Sequence, residues 1–254
     1  MENSKYLQKK LESKILSEDE WKVLNAKLNK PIETFVFLDQ GKIAMEKGDL
    51  KFDLSYSSVP ADLHFEKREE VWEFPKEKQY AIENMDLSPK EYRKLDNLVL
   101  KNKESTLDVV NLLPKEAHIF FRSLPYEPKY IGESPGSFDP RINLIILKNN
   151  LSTPGGILTL LHEIGHANDK LSAIRNKFPK KEGPHDKVFL TPEQIEIFLK
   201  TERNAWTFVI KNLKPFISDL GLTLEEFNAF VHDYALSTYS EKIKKMQSGQ
   251  PYIE

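Results

Sequence analysis

Hydrophobic residues recur along this chain at two spacings, and each spacing predicts one kind of element. Spacings of three and four residues place apolar side chains on one face of a helix, whereas alternation or short apolar runs bounded by glycine and proline favour strands. The helical pattern, each time opened by a serine or threonine cap, covers about residues 17–29, 88–100, 153–171, 191–213 and the segment from 223 onward. The extended pattern covers about residues 34–38, 50–56, 118–122 and 136–147.

A charged stretch at residues 101–105 follows the first group of these elements and is a plausible boundary. We therefore expect residues 1–112 to form an N-terminal α+β region, whose role the sequence does not indicate. Residues 113–254 contain the segments with recognisable chemistry and are expected to form a second domain. Between two of its helices, residues 176–187 are charged and contain proline and glycine, so an exposed loop is predicted there.

Composition excludes several classes of function. The chain has 254 residues, 39% of them hydrophobic and 30% charged, and a net charge of −2, which argues against electrostatic binding of nucleic acid. It has no cysteine, so disulfides and cysteine-ligated zinc are excluded. Residues 1–16 are polar and lysine-rich, and no apolar run approaches membrane-spanning length. We expect a cytoplasmic protein without a membrane partner, and the oligomeric state stays open.

Residues 162–166 read H-E-I-G-H, an H-E-x-x-H sequence inside a predicted helix. Residues four apart lie on one face of a helix, so His162 and His166 can direct imidazole nitrogens at one point, as a zinc ion requires. Glu163 lies about 100° around the helix from His162, where it could accept a proton from a water molecule on the metal. The alternative is that both histidines lie at the surface of an ordinary amphipathic helix.

A catalytic zinc needs a third protein ligand, and Glu202 is the best candidate. It is the only charged residue within the apolar stripe of the helix predicted over residues 191–213. A carboxylate among apolar side chains must find a cation or become protonated, and zinc would satisfy it. The alternatives are that Glu202 pairs with a buried lysine or arginine, or reaches solvent at the edge of the stripe. Weaker candidate ligands are Glu193, Glu196 and Asp169, of which Asp169 is better placed to orient a histidine.

The H-E-I-G-H motif, followed by a helix carrying Glu202 and Ala205, resembles the gluzincins, metallopeptidases that bind zinc through two histidines and one glutamate. Over about residues 115–245 the chain is loosely similar to the ImmA/IrrE-type peptidases. The resemblance implies an α+β, zincin-like fold, with a small mixed or antiparallel sheet whose edge strand lies beside the active-site helix. Residues 136–147 would supply a turn and that edge strand, along which a peptide substrate could bind as an extended strand.

The chain departs from thermolysin-like gluzincins at one position. Those enzymes carry an aspartate four residues after the ligand glutamate, where it orients a histidine; this chain has Trp206 there. Another group must then orient the histidines, and the candidates are Asp169, Asn204 and Asp233.

The resemblance implies a zinc-dependent endopeptidase, with Zn²⁺ held by His162, His166 and Glu202. Glu163 would pass a proton from water to the leaving amine. A donor to the developing oxyanion is also expected, and the sequence does not rank the candidates, which are His232, Tyr234, Tyr239 and His185. The alternative is a catalytically inactive or regulatory zinc-binding module that binds a protein partner, although a purely structural site would not need Glu163.

Overall fold

Both helices and strands are present in the computed structural model, which confirms the α+β class. The described residues are 17–30, 32, 37–39, 42–47, 50–57, 92–114, 117–122, 135–148, 151, 153–179, 189–236, 239 and 243. The helices are α1 (Glu18–Asn29), α2 (Pro154–Asn168), α3 (Lys170–Arg175), α4 (Pro192–Leu213) and α5 (Leu224–Ala229). The strands are β1 (Phe37–Asp39), β2 (Lys42–Lys47), β3 (Leu50–Ser57), β4 (Tyr92–Lys101), β5 (Thr106–Asp108), β6 (His118–Arg122), β7 (Gly136–Asp139) and β8 (Leu144–Leu147).

The eight described strands form one mixed sheet in the order β1-β2-β3-β4-β6-β8-β7. Strand β5 lies off this path and pairs with the last residues of β4, whereas β6 pairs with its first residues. The pairing of β6 with β8 is parallel, and the other described pairings are antiparallel. The sheet includes strands from both sides of residue 112, and the division of the chain at that residue stays a prediction.

Strand β4 forms where the sequence predicts a helix, and that prediction is wrong. Leu95 and Leu98, whose spacing of three favours a helix, are both buried. The register between β3 and β4 shifts next to Tyr56, so that β4 has one more residue there than β3. Because such a bulge interrupts the alternation of faces, two residues three apart can share the buried side of a strand. A bulged strand thus produces a spacing typical of helices.

Residues 136–147 form a β-hairpin rather than a turn and one strand. Its strands β7 and β8 are joined by a turn in which Asn143 has a φ angle of 51°. All four residues of β8 are buried, and β8 lies between β6 and β7, so the expectation that it is the edge strand is wrong. A run of four apolar residues suits a strand that is covered on both faces. The last strand of the described sheet is instead β7, which packs against α2.

Helix α2 is the central helix of the core and packs against α1, α4, β7 and β8. It begins where the sequence predicts, because the Thr153 side chain accepts a hydrogen bond from the Gly156 amide and Pro154 occupies the first turn, where it costs no hydrogen bond. Eleven of its 15 residues are buried. The helix is therefore enclosed on nearly all sides, and it is not the amphipathic surface helix of the alternative interpretation.

Three further predicted helix starts are also confirmed. Capping boxes open α1 at Ser17, α4 at Thr191 and α5 at Thr223. The predicted apolar stripe of α4 is buried, and it includes Glu202. After α5 the chain continues as a π-helical segment, Phe230–Leu236. Within the described residues, we find no helix with the length and apolar character needed to cross a membrane.

Candidate metal centre

Both histidines of the H-E-x-x-H sequence are buried on α2, with exposed fractions of 7% for His162 and 8% for His166. The alternative of two surface histidines is therefore wrong. Their Nε2 atoms lie 3.1 Å apart, and the two rings meet edge to face. Two imidazoles whose Nε2 atoms converge inside the protein present their lone pairs to a common point.

Glu202 on α4 joins the two histidines, and only 1% of its surface is exposed. Its Oε2 atom lies 3.3 Å from the Nε2 atom of His162 and 3.5 Å from that of His166. In the part of the chain that the structure describes, this is the only group of three or more potential ligands that could hold a metal ion. The three predicted ligand residues are therefore brought together.

The triangle formed by these three atoms has the size that a tetrahedral metal ion requires. Ligand atoms about 2.0–2.1 Å from a tetrahedral zinc ion lie about 3.3 Å from one another. The edges of the triangle are 3.1, 3.3 and 3.5 Å. The buried Oε2 atom of Glu202 makes no hydrogen bond to any described residue, which is a costly state that a bound cation would relieve. His162, His166 and Glu202 thus fit a metal ion and could hold one.

A close approach of two helices brings the ligands together. At Gly165, a Cβ atom would lie 2.8 Å from the Cα atom of Ala205 and 2.9 Å from its carbonyl oxygen. The backbones of α2 and α4 therefore meet at a point where a side chain at residue 165 would not fit. Glu202 lies one turn before Ala205 on α4, and His166 directly follows Gly165, so the ligands flank this contact.

The second oxygen of Glu202 is occupied by Arg175, the last residue of α3. The Nη1 atom of Arg175 donates to Glu202 Oε1 and, at 3.2 Å, to the hydroxyl of Thr201. Its guanidinium also lies 4.0 Å from the ring centre of Phe198. The alternative prediction, that Glu202 pairs with a buried cation, is therefore confirmed for one oxygen only. Sequence reasoning missed Arg175, which has no spacing relation to Glu202 and comes from a different helix.

The surroundings of Glu202 set the protonation of the site. Burial by itself would raise the pKa of Glu202, but the two histidines close to its Oε2 atom hold that pKa well below its ordinary value. Burial, together with the negative charge of Glu202, raises the pKa of Tyr239 well above its ordinary value. The carboxylate thus stays ionised and the Tyr239 hydroxyl keeps its proton.

Glu163, the predicted general base, is buried between α2 and β7, with 7% of its surface exposed. A Cβ atom at Gly136 would lie 3.3 Å from the Cγ atom of Glu163 and 2.7 Å from a methyl group of Thr159. A side chain at residue 136 would therefore force Thr159 to shift, so glycine favours this close approach of β7 to α2. The contact puts the last described strand of the sheet next to the residue to which we assign proton transfer.

The candidate oxyanion donors have different positions. Tyr239 is partly buried, burial and the charge of Glu202 raise its pKa, and its ring lies 5.5 Å from that of Phe198. His232 is exposed. The side chain of Tyr234 and all of His185 lie outside the described residues. Tyr239 is thus the described candidate that the fold brings to the metal ligands.

The residues expected to orient a histidine do not do so where they are described. Asp169 caps α3 by accepting from the Leu171 amide, and its second oxygen accepts from the Asn204 side chain at 3.0 Å. The two residues thus tie the end of α2 to α4. The side chain of Asp233 lies outside the described residues. The weaker candidate ligands Glu193 and Glu196 are exposed on α4 and take no part in the cluster.

Fold and site together define an α+β protein with a buried His-His-Glu cluster that could hold a metal ion. Comparison with known proteins found no match among protein families, curated protein sequences or solved structures. The function therefore has to be argued from the geometry of the site.

Proposed function

We propose that this chain is a zinc-dependent endopeptidase of the gluzincin type, with a zincin-like domain in residues 113–254. The observation that carries the proposal is the buried triangle of His162, His166 and Glu202, with Glu163 beside it on the same helix. A structural metal site does not need a carboxylate that could transfer protons next to its ligands. A hydrolytic site needs one.

Zinc is the metal that this set of donors favours. Two histidines, one glutamate and an open fourth position are typical of catalytic zinc, whereas structural zinc sites use four protein ligands. A set of two histidines and one carboxylate also serves non-haem iron. The H-E-x-x-H spacing, which adds a general base one residue after the first ligand, favours zinc.

The chain's own residues supply the other parts of a hydrolytic mechanism. When bound, zinc would lower the pKa of a water molecule and polarise the scissile carbonyl group. Glu163 would act as the general base, accepting a proton from the attacking water and delivering it to the leaving amine. Tyr239, which lies near Glu202, donates a hydrogen bond to the oxyanion.

The substrate in this proposal is a peptide or protein segment in extended conformation. It would lie along β7, since Gly136 at the start of β7 is next to Glu163. An extended peptide beside a strand would bring successive peptide bonds past the general base.

The test compares the wild-type protein with Glu163→Gln, both loaded with zinc. Elemental analysis should find one zinc ion per chain in each protein. Hydrolysis of a peptide library should fall by about 10²–10⁴-fold in the variant, which is the usual contribution of a positioned general base. Glu196→Gln is the matched control, because the same chemical change falls on an exposed residue of α4.

The outcomes separate the proposal from the alternative. Equal hydrolysis by wild type and Glu163→Gln would contradict the catalytic role of Glu163. A wild-type protein that binds zinc but cleaves no peptide in the library would favour the inactive or regulatory zinc-binding module. Iron instead of zinc in the native protein would overturn the choice of metal.

A further inference from the structure

The ring of His162 is packed against the ring of Trp206, a residue of α4 that lies four positions after Glu202. The two ring centres are 4.5 Å apart and the ring planes differ by 34°, so the rings lie in contact at a tilt. Trp206 is itself buried, with 6% of its surface exposed, and Phe230 meets it edge-on at 5.6 Å. The indole therefore contacts two other rings, those of His162 and Phe230.

Among the described residues, His162 has no partner for the hydrogen bond that usually fixes the orientation of a metal ligand. The second ring nitrogen of a ligating histidine normally donates a hydrogen bond to a carboxylate, a carbonyl oxygen or water. The Nδ1 atom of His162 is buried and has no hydrogen-bond partner among the described residues. Trp206 does not provide one, because its only polar atom, Nε1, is a donor and is itself without a partner in the described structure.

We propose that Trp206 is a positioning residue for His162, acting through the face of its ring in place of a hydrogen bond. An aromatic pair at this distance restricts rotation about the histidine χ2 angle, which decides where Nε2 points. Since α4 supplies both Glu202 and Trp206, one helix provides a ligand and also orients another. This inference rests on the metal site of the proposed function.

A neutral ring and a carboxylate differ in their effect on the electronic character of a ligating histidine. A carboxylate on Nδ1 makes the imidazole a more basic, more electron-donating ligand. The neutral indole of Trp206 would not add this electron donation. Trp206 thus fixes the geometry of the ligand and leaves its electronic character unchanged.

The first test measures zinc affinity by competition with a chromophoric chelator. Trp206→Leu, which removes the ring, should weaken zinc binding by about 10–100-fold, the usual effect of losing a group that orients a ligand. Trp206→Phe, which keeps an aromatic face, should lose much less of the affinity for zinc. Phe230→Leu is the matched control, because it removes a ring that touches Trp206, whereas the described ring contacts of His162 are with His166 and Trp206. Equal weakening by Trp206→Leu and Phe230→Leu, or no weakening by Trp206→Leu, would overturn the proposal.

A second test uses the metal-free protein, so that a failure of zinc binding cannot be mistaken for a failure of this inference. Ring protons of His162 next to the face of an indole should show upfield-shifted resonances in NMR spectra. The shift should shrink but keep its sign in Trp206→Phe, which is also the variant to use if Trp206→Leu does not fold. His162 resonances that stay unchanged in Trp206→Phe would overturn the proposal. If the wild-type protein shows the upfield shift but binds no zinc, that result would contradict the proposed function and leave this inference standing.

Discussion

Gly165→Ala should damage the metal site by separating two helices, without changing any ligand. The added methyl group would lie 2.8 Å from the Cα atom of Ala205, and ordinary van der Waals contact begins at 3.4 Å, so α2 and α4 must move apart by about 0.6 Å. Backbone atoms cannot turn aside as a flexible side chain can. The separation therefore acts directly on the distances between Glu202 and the two histidines, now 3.3 and 3.5 Å.

The expected magnitudes follow from this displacement. Overpacking in a core costs about 1–3 kcal/mol, and replacing glycine by alanine in a helix returns about 1 kcal/mol, so the net loss of stability should be about 0–2 kcal/mol. Functional constellations have to be held to within about 0.5 Å, which the movement exceeds. We expect zinc affinity to fall about 10-fold or more, comparable to the loss of an orienting group.

Chelator competition would measure the affinity, and urea unfolding in EDTA would measure the stability of the metal-free protein. Gly155→Ala is the matched control, since its methyl group would also be crowded, 3.0 Å from the carbonyl oxygen of Leu28. Gly155 lies two turns from His162 at the other end of α2, so this variant should lose stability and keep its zinc affinity. If Gly165→Ala bound zinc as tightly as the wild type, the idea that this helix contact sets the ligand triangle would be refuted.

Two further predictions concern charges. Arg175→Met should lower the stability of the metal-free protein by about 2–3 kcal/mol, since it leaves the buried Glu202 without its cation. Zinc should restore much of that stability. Equal losses of stability in EDTA and in zinc, measured by urea unfolding, would contradict the argument. Lys27→Met should cost less than about 1 kcal/mol at pH 7, because the ion pair with Glu226 is partly exposed. Burial alone would raise the pKa of Glu226, but Lys27 contributes to lowering it. The stabilisation by the ion pair is therefore present above the ordinary pKa of glutamate, about 4.3, and disappears as the pH falls through the lowered pKa. Thermal unfolding of the wild type and Lys27→Met from pH 7 to pH 3 measures this pH-dependent stabilisation. Lys22→Met, which removes a more exposed ion pair, should leave the stability unchanged over the same range.

The sequence predicts the three residues of the cluster because they are carried by local signals. His162 and His166 are four residues apart on one helix, and Glu202 is a charge inside an apolar stripe, so each is visible within a single turn or helix. The caps of α1, α2, α4 and α5 are equally local, and all are confirmed.

Errors arise where a pairing between distant segments decides the structure. In β4 the spacing of Leu95 and Leu98 follows from a bulge against β3, and nothing in the sequence of β4 itself indicates that partner. The order of β7 and β8 likewise depends on the parallel pairing of β8 with β6, which the hairpin residues do not reveal. The contacts of Arg175 and Trp206 with the ligands belong to the same class, since each joins two different helices.

The two explanations considered for Glu202 prove to be compatible because a carboxylate has two oxygens. Arg175 binds Oε1, and Oε2 remains directed at the two histidines. One cation from the chain is enough to allow the carboxylate to be buried and ionised when the protein folds, so folding does not have to wait for a metal ion. Arg175 also leaves only one oxygen of Glu202 available to a metal ion. A fourth coordination position of that ion would then remain open for water or substrate. An arginine on the ligand glutamate thus favours a hydrolytic site over a closed structural one.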